Sequence, residues 1–115
     1  MSKPRRDKEY LGDVQEAVQR IISYTSGLSY EQFLKDARTQ DAVIRNLQII
    51  GEASKKLSIR LKQTFPKIPW KEMSGIRDKI VHDYFGINYD IVWNVSKHEL
   101  PVLLNEIESI QKEGE

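Results

Sequence analysis

The chain has 115 residues, 39% of them hydrophobic and 30% charged, with 18 Lys and Arg against 17 Asp and Glu, which is the profile of one ordinary folded domain with material for a single core. The absence of Cys excludes a disulfide framework, a cysteine zinc site and a cysteine nucleophile, and the net charge of +1 lacks the basic excess of a non-specific nucleic-acid binder. The basic opening MSKPRRDKEY runs into the polar LGDVQEAVQR rather than a signal-peptide core, and no window approaches the roughly 18 apolar residues of a membrane span. The expected location is the cytoplasm, away from membrane.

Hydrophobic periodicity is helical almost throughout, and the expected fold is all-α, one compact antiparallel bundle of about five helices over residues 1–115. Leu11, Val14, Val18, Ile21 and Ile22 predict a first amphipathic helix from about Arg5 to Tyr24, ended by Ser26 and Gly27. Ser29 and Gln32 form a capping box, with Leu28 and Phe33 placed to staple across it, so a short second helix should start at Tyr30. Val43, Leu47, Ile50, Leu57 and Leu61 predict a long third helix from about Ala37 to Leu61. Gly51 sits inside that helix at a cost of about 1 kcal/mol relative to Ala, which points to close packing against another backbone. Pro69 suits the first turn of a fourth helix running through Trp70 to about Phe85, closed by Gly86. Asn88 can cap the last helix, with Asp90 in its first turn and Ile91, Val95, Leu103, Ile107 and Ile110 on its apolar face, and Pro101 should kink or split it.

The near-neutral average hides a split. Residues 1–54 carry 8 basic and 8 acidic side chains, residues 55–79 carry 8 and 2, and residues 80–115 carry 2 and 7. Lys55, Lys56, Arg60, Lys62, Lys67 and Lys71 read either as a solvated helix face and loop or as a patch that steers a polyanion.

Reactive side chains concentrate in GIRDKIVHDYFG, which holds Arg77, Asp78, His82, Asp83 and Tyr84. On a wheel, Met73, Ile76, Ile80 and Tyr84 share an apolar arc with Arg77 inside it, where a guanidinium needs a partner. Asp78 and His82 lie four apart, close enough for the carboxylate to orient the imidazole. In a straight helix, however, Arg77 and His82 point about 140° apart. The helix is then distorted near Gly75, or the groove lies between the two directions, or a second copy of the chain completes the site. Each residue also has a plain structural reading: His82 as a surface partner of Asp78, Arg77 as a partner of Glu52, Tyr84 as a core ring with its hydroxyl at the surface. His98 reads as a surface residue, and Trp70 and Trp93 as core or interface anchors. No set of three His and carboxylates has ligand spacing, so neither a catalytic metal nor a cofactor is expected.

The chain resembles the HEPN domains and, within them, the HepT-like toxins encoded beside a minimal nucleotidyltransferase antitoxin. The resemblance rests on Arg77, Asp78 and His82 as an Arg-polar-x-x-x-His motif extended by Tyr84. It is supported by Gly51-Glu52-Ala53, Ile68-Pro69-Trp70, Val92-Trp93 and Leu100-Pro101. The bare Arg-to-His spacing would arise roughly once in eight shuffled sequences, so the weight lies in the combination. Asp78 stands where many members of the family have Asn, and its charge could pair with Arg77 and alter His82 protonation. The resemblance implies a toxin of a type II/VII-like toxin–antitoxin pair, a metal-independent endoribonuclease whose active site forms at a homodimer interface. Arg77, Asp78 and His82 would be its catalytic residues, with Tyr84 the hydroxyl to which the antitoxin transfers AMP. Independently, cleavage through the RNA 2′-hydroxyl needs a group titrating near neutrality and a cation on the phosphate, which His82 and Arg77 supply. Two other readings compete: a non-catalytic helical adaptor that dimerises and binds a nucleotidyltransferase, and an RNA-binding module using the stripe from Lys55 to Lys79.

Overall fold

A computed structural model of the chain describes residues 6–81 and 86–113. Arg77 and Asp78 fall within the described residues; His82 and Tyr84 lie outside them. The described elements are α1 (Asp7–Thr25), α2 (Tyr30–Leu34), α3 (Ala37–Lys56), α4 (Ile59–Thr64), α5 (Trp70–Ser74), α6 (Ile76–Ile80), α7 (Tyr89–Asn94), a π turn (Val95–Glu99) and α8 (Leu100–Glu113). The fold is all-α. The five expected helices correspond to five bodies, three of which are interrupted: α3 with α4, α5 with α6, and α7 with the π turn and α8.

One continuous core joins them. Val14, Val18 and Ile21 of α1, Val43, Leu47 and Ile50 of α3, Ile76 and Ile80 of α6, and Leu103 and Ile107 of α8 are all buried in it. No described helix is long and apolar enough to cross a membrane.

Local capping explains most of the boundaries. The hydroxyl of Ser29 accepts from the Gln32 N–H at 3.1 Å while Gln32 Oε1 accepts from the Ser29 N–H at 2.9 Å, the expected capping box of α2. Buried Gln40 then donates to the carbonyls of Phe33 and Leu34, 2.9 and 3.1 Å away, and so closes α2 from the next helix. Asp36 caps α3 by accepting from the Thr39 hydroxyl and N–H. Those two hydrogen bonds, the hydroxyl's first, hold the Asp36 carboxyl below its ordinary 3.8. The cap therefore stays charged to a lower pH than it would without those hydrogen bonds.

The long helix predicted to reach Leu61 stops at Lys56. Leu57 is extended, and Ser58 starts α4 by accepting from the Leu61 N–H. Asp7 of α1 accepts both the Ser58 N–H and its hydroxyl proton, so a contact across 51 residues decides a break that periodicity does not show. The last helix splits, one turn earlier than Pro101 itself: Leu100 donates to Val95 in the wide hydrogen bond that closes the π turn. Pro101 has no N–H to offer the carbonyl of Lys97, and the wide turn just before it absorbs the lost α-helical bond.

Gly51 makes the close approach expected of it. A Cβ there would lie 3.4 Å from Ile76 Cγ2 and 3.5 and 3.7 Å from the carbonyl oxygens of Met73 and Ser74. Gly51→Ala should be near neutral, the helix-propensity gain of about 1 kcal/mol offsetting a tight contact. Gly51→Leu should lower the stability read from a urea midpoint by about 2 kcal/mol or more, because a branched side chain has to displace the α5–α6 backbone.

Candidate functional site

The site begins at two prolines. Pro66 and Pro69 bound the loop between α4 and α5, and Pro69 is the residue immediately before α5, one position earlier than expected. Trp70 anchors the start of α5. Its ring is buried, and its indole N–H donates to the Phe65 carbonyl at 2.9 Å, which satisfies the one polar atom of the ring.

The predicted helix from Trp70 to Phe85 is not continuous. At Gly75, φ −96° and ψ 11°, the N–H turns back to the carbonyls of Lys71 and Met73, and a new helical turn starts with Ile76. α6 ends at Ile80 rather than at Gly86. Val81 is extended and pairs antiparallel with Ile87, and the Asn88 N–H donates to the Ile80 carbonyl at 2.7 Å. Gly86, with φ 88°, precedes that pairing, a conformation that suits glycine alone.

These two interruptions change the position of Arg77. On α6 alone the buried residues are Ile76 and Ile80, and Arg77 lies about 80° from their mean direction, at the edge of the apolar side rather than inside it. It is exposed, as are Asp78 and Lys79. Glu52, the suggested partner of Arg77, is exposed on α3, and among the described residues no ion pair joins the two. The wheel relations drawn from Arg77 to His82 and Tyr84 assume a helix that the chain leaves at Ile80. The helix is distorted at Gly75, as one of the three alternatives had it, but that break precedes Arg77, and His82 lies outside the described residues.

Lys79 differs from its neighbours. Its ammonium lies 3.5 Å from Glu99 of the π turn, and Glu99 also accepts from the Asn94 side-chain amide at 3.3 Å. Both charges are half-exposed, so the pair contributes little stability. It nevertheless links the Arg77-bearing turn to the C-terminal body through a residue that the motif does not contain. Nothing local in the sequence marks Glu99, because its partner is 20 positions away.

The remaining candidates divide clearly. His98 is exposed on the π turn. Trp93 is half-buried, with Phe33 and Tyr30 at centroid distances of 5.2 and 5.8 Å and the Lys97 ammonium 5.2 Å from its ring. Tyr89 packs edge-on against Phe33. Lys55, Lys56, Arg60, Lys67 and Lys71 are exposed and Lys62 half-buried. Among the described residues, no three His, Asp or Glu side chains come together as ligands would.

Comparison with known proteins follows the same lines. A protein of Thermococcus cleftensis named "Probable ribonuclease HepT" is 44% identical over 94% of this chain and 98% of its own length. One of Methanocaldococcus jannaschii named "Putative RNase MJ0127" is 43% identical over 97% of this chain and 93% of its own. No solved structure matches the chain. The family description "Ribonuclease HepT-like" matches residues 14–110, an interval that contains Gly51, Arg77, Asp78, His82 and Tyr84, and the chain therefore belongs to the HepT-like ribonuclease family.

Proposed function

We propose that the chain is a single HEPN domain acting in the cytoplasm as a metal-independent endoribonuclease, the toxin of a toxin–antitoxin pair whose antitoxin is a minimal nucleotidyltransferase. The observation that carries the reading is the exposed Arg77 guanidinium, without an ion-pair partner among the described residues, on a short helix set by the Gly51 contact in a chain of a ribonuclease family. A cation in that condition is available to a phosphodiester. The names of the relatives, which specify ribonucleases, support the same substrate class.

In the proposed reaction a neutral His82 imidazole takes the proton of the RNA 2′-hydroxyl, and the 2′-oxygen attacks the adjacent phosphorus. The bond from phosphorus to the 5′-oxygen breaks, and a protonated imidazole returns a proton to that leaving oxygen. Arg77 balances the charge that gathers on the non-bridging oxygens, and Asp78 orients and tunes the histidine. Arg77→Ala and His82→Ala should each lower cleavage of purified RNA at least about 100-fold, with EDTA leaving the wild type active. Arg77→Ala should cost less than about 1 kcal/mol of stability, since its side chain is exposed. A purified, unmodified protein that cuts no RNA leaves the adaptor as the working function.

The active form in this reading is a homodimer with the two Arg77-bearing turns facing each other across the symmetry axis, so that each groove draws on both copies. Light scattering at micromolar concentration should give twice the chain mass. A monomer that retains full ribonuclease activity would remove the shared site.

Control of the enzyme is assigned to Tyr84. The nucleotidyltransferase would join the α-phosphorus of ATP to the phenolic oxygen, releasing pyrophosphate and the phenol proton, and so place bulk and negative charge two positions from His82. Because α6 ends at Ile80, this assignment rests on the motif and not on a shared helix face. Incubation with the partner, ATP and Mg²⁺ should add one AMP to the intact mass and abolish cleavage, and Tyr84→Phe should stay active and unmodified. An unchanged adduct on Tyr84→Phe would move the acceptor to another residue, with Tyr89 the nearest in sequence.

A further inference from the structure

The segment from α4 to α5 folds into an open groove of about 590 Å³ that the motif does not use. Ile59, Lys62, Lys67, Trp70, Lys71 and Glu72 line it together with the two prolines. We propose that this groove is a binding subsite for the RNA strand flanking the scissile phosphate, with Lys62, Lys67 and Lys71 each holding a backbone phosphate.

Three observations point to that occupant. First, the lysines come from three successive pieces of chain, α4, the Pro66–Pro69 loop and α5, and converge on one groove whose lining holds Glu72 as its single acid, although Lys67 also lines the adjoining cleft with Glu106 and Glu113. A charged face that served solubility alone would mix signs. Second, none of the three ammoniums takes part in an ion pair among the described residues, whereas Lys79 is held by Glu99 and Lys97 donates to the Thr25 carbonyl at 3.1 Å. Third, the floor is apolar and open: Ile59 is 72% exposed beside the proline rings, a surface that suits base and sugar faces while the lysines take the phosphates. The two prolines limit the freedom of the loop before binding, so little order has to be imposed by the ligand.

The surroundings favour a nucleic acid over an acidic protein. A stable protein interface buries about 800 Å² per partner around an apolar centre, while the exposed large apolar residue in this groove is Ile59 alone. The groove also ends on α5, which continues through Gly75 into the turn that bears Arg77. In sequence, Lys71 of the groove and Arg77 are separated by the single break at Gly75. RNA is chosen because the site is taken to be a ribonuclease, and the proposal rests on that reading for this choice only.

The test measures binding apart from cleavage. The probe is a fluorescein-labelled 20-nucleotide RNA carrying 2′-O-methyl groups, which has no nucleophile and stays intact. Its anisotropy is titrated with full-length protein over a series of KCl concentrations. The groove variant is Lys62→Gln with Lys67→Gln and Lys71→Gln; a control variant, Lys8→Gln with Lys35→Gln and Lys112→Gln, removes the same charge from exposed positions elsewhere. The groove variant should lower the slope of log affinity against log salt by roughly 2, at about 0.7 per single-strand phosphate contact, and the control should leave the slope unchanged. On cleavable RNA, the groove variant should raise KM for the 20-mer and leave a trinucleotide substrate unaffected.

An unchanged slope in the groove variant, an equal drop in the control, or a wild type that does not bind the probe overturns the subsite. If the slope falls in the groove variant while the wild type cleaves neither substrate, the groove stands and the ribonuclease reading fails. If cleavage is intact and the slope does not move, the reading stands and the groove fails, leaving an acidic protein face as its occupant.

Discussion

Where α3 passes the junction of α5 and α6, a single hydrogen atom on Gly51 stands between one helix backbone and the carbonyls of Met73 and Ser74. The rest of the candidate site depends on this approach. It seats the short α5 and α6 against the longest helix of the fold, lets Ile76 and Ile80 enter the core, and leaves the opposite edge of α6 to solvent. An α5–α6 body held a side chain further out would lose those two isoleucines as anchors, and with them the direction of Arg77. The position is one of backbone proximity rather than of flexibility, since Gly51 sits in regular helix.

Charge is distributed by the same architecture. The basic stretch of the sequence becomes the end of α3, then α4, the proline loop, α5 and α6, all on consecutive pieces of chain. The acidic stretch becomes α7 and α8, of which α7 packs against α6 while α8 lies against α1. Only at Lys79 and Glu99 do the two meet in an ion pair among the described residues. A nearly neutral protein thereby presents a local positive field, and its overall charge understates what an approaching polyanion encounters.

Features carried by neighbours in sequence were legible from it. The capping box at Ser29, the Asn88 cap, which accepts from the Ile91 N–H at 3.2 Å, and the tight packing of Gly51 each follow from residue type and spacing within a few positions. The breaks at Leu57 and Ile80 were not, because distant groups decide them: Asp7 holds Ser58, and the Asn88 N–H takes the Ile80 carbonyl. Hydrophobic periodicity runs through both breaks undisturbed. The candidate site divides in the same way. Its residue types stand in the motif, while the burial of Arg77 was misjudged because a wheel assumes one straight axis from Trp70 onward. Glu99 and the lysine groove depend on contacts between segments and have no signature in either segment alone.

The last turn of α1 contains no basic residue to match the negative end of its dipole. The charge is supplied by Lys97, whose ammonium reaches the Thr25 carbonyl across 72 positions while lying over the Trp93 ring. α1 also draws its lateral packing from α3 and α8, so it is completed by contacts from both the middle of the chain and the C-terminal body. The Lys97 contact cannot form until the loop between its ends has closed. In folding terms the cap on the C-terminal end of α1 is a long-range contact that forms only once the π turn has docked, whereas its packing on α3 needs a much shorter loop to close.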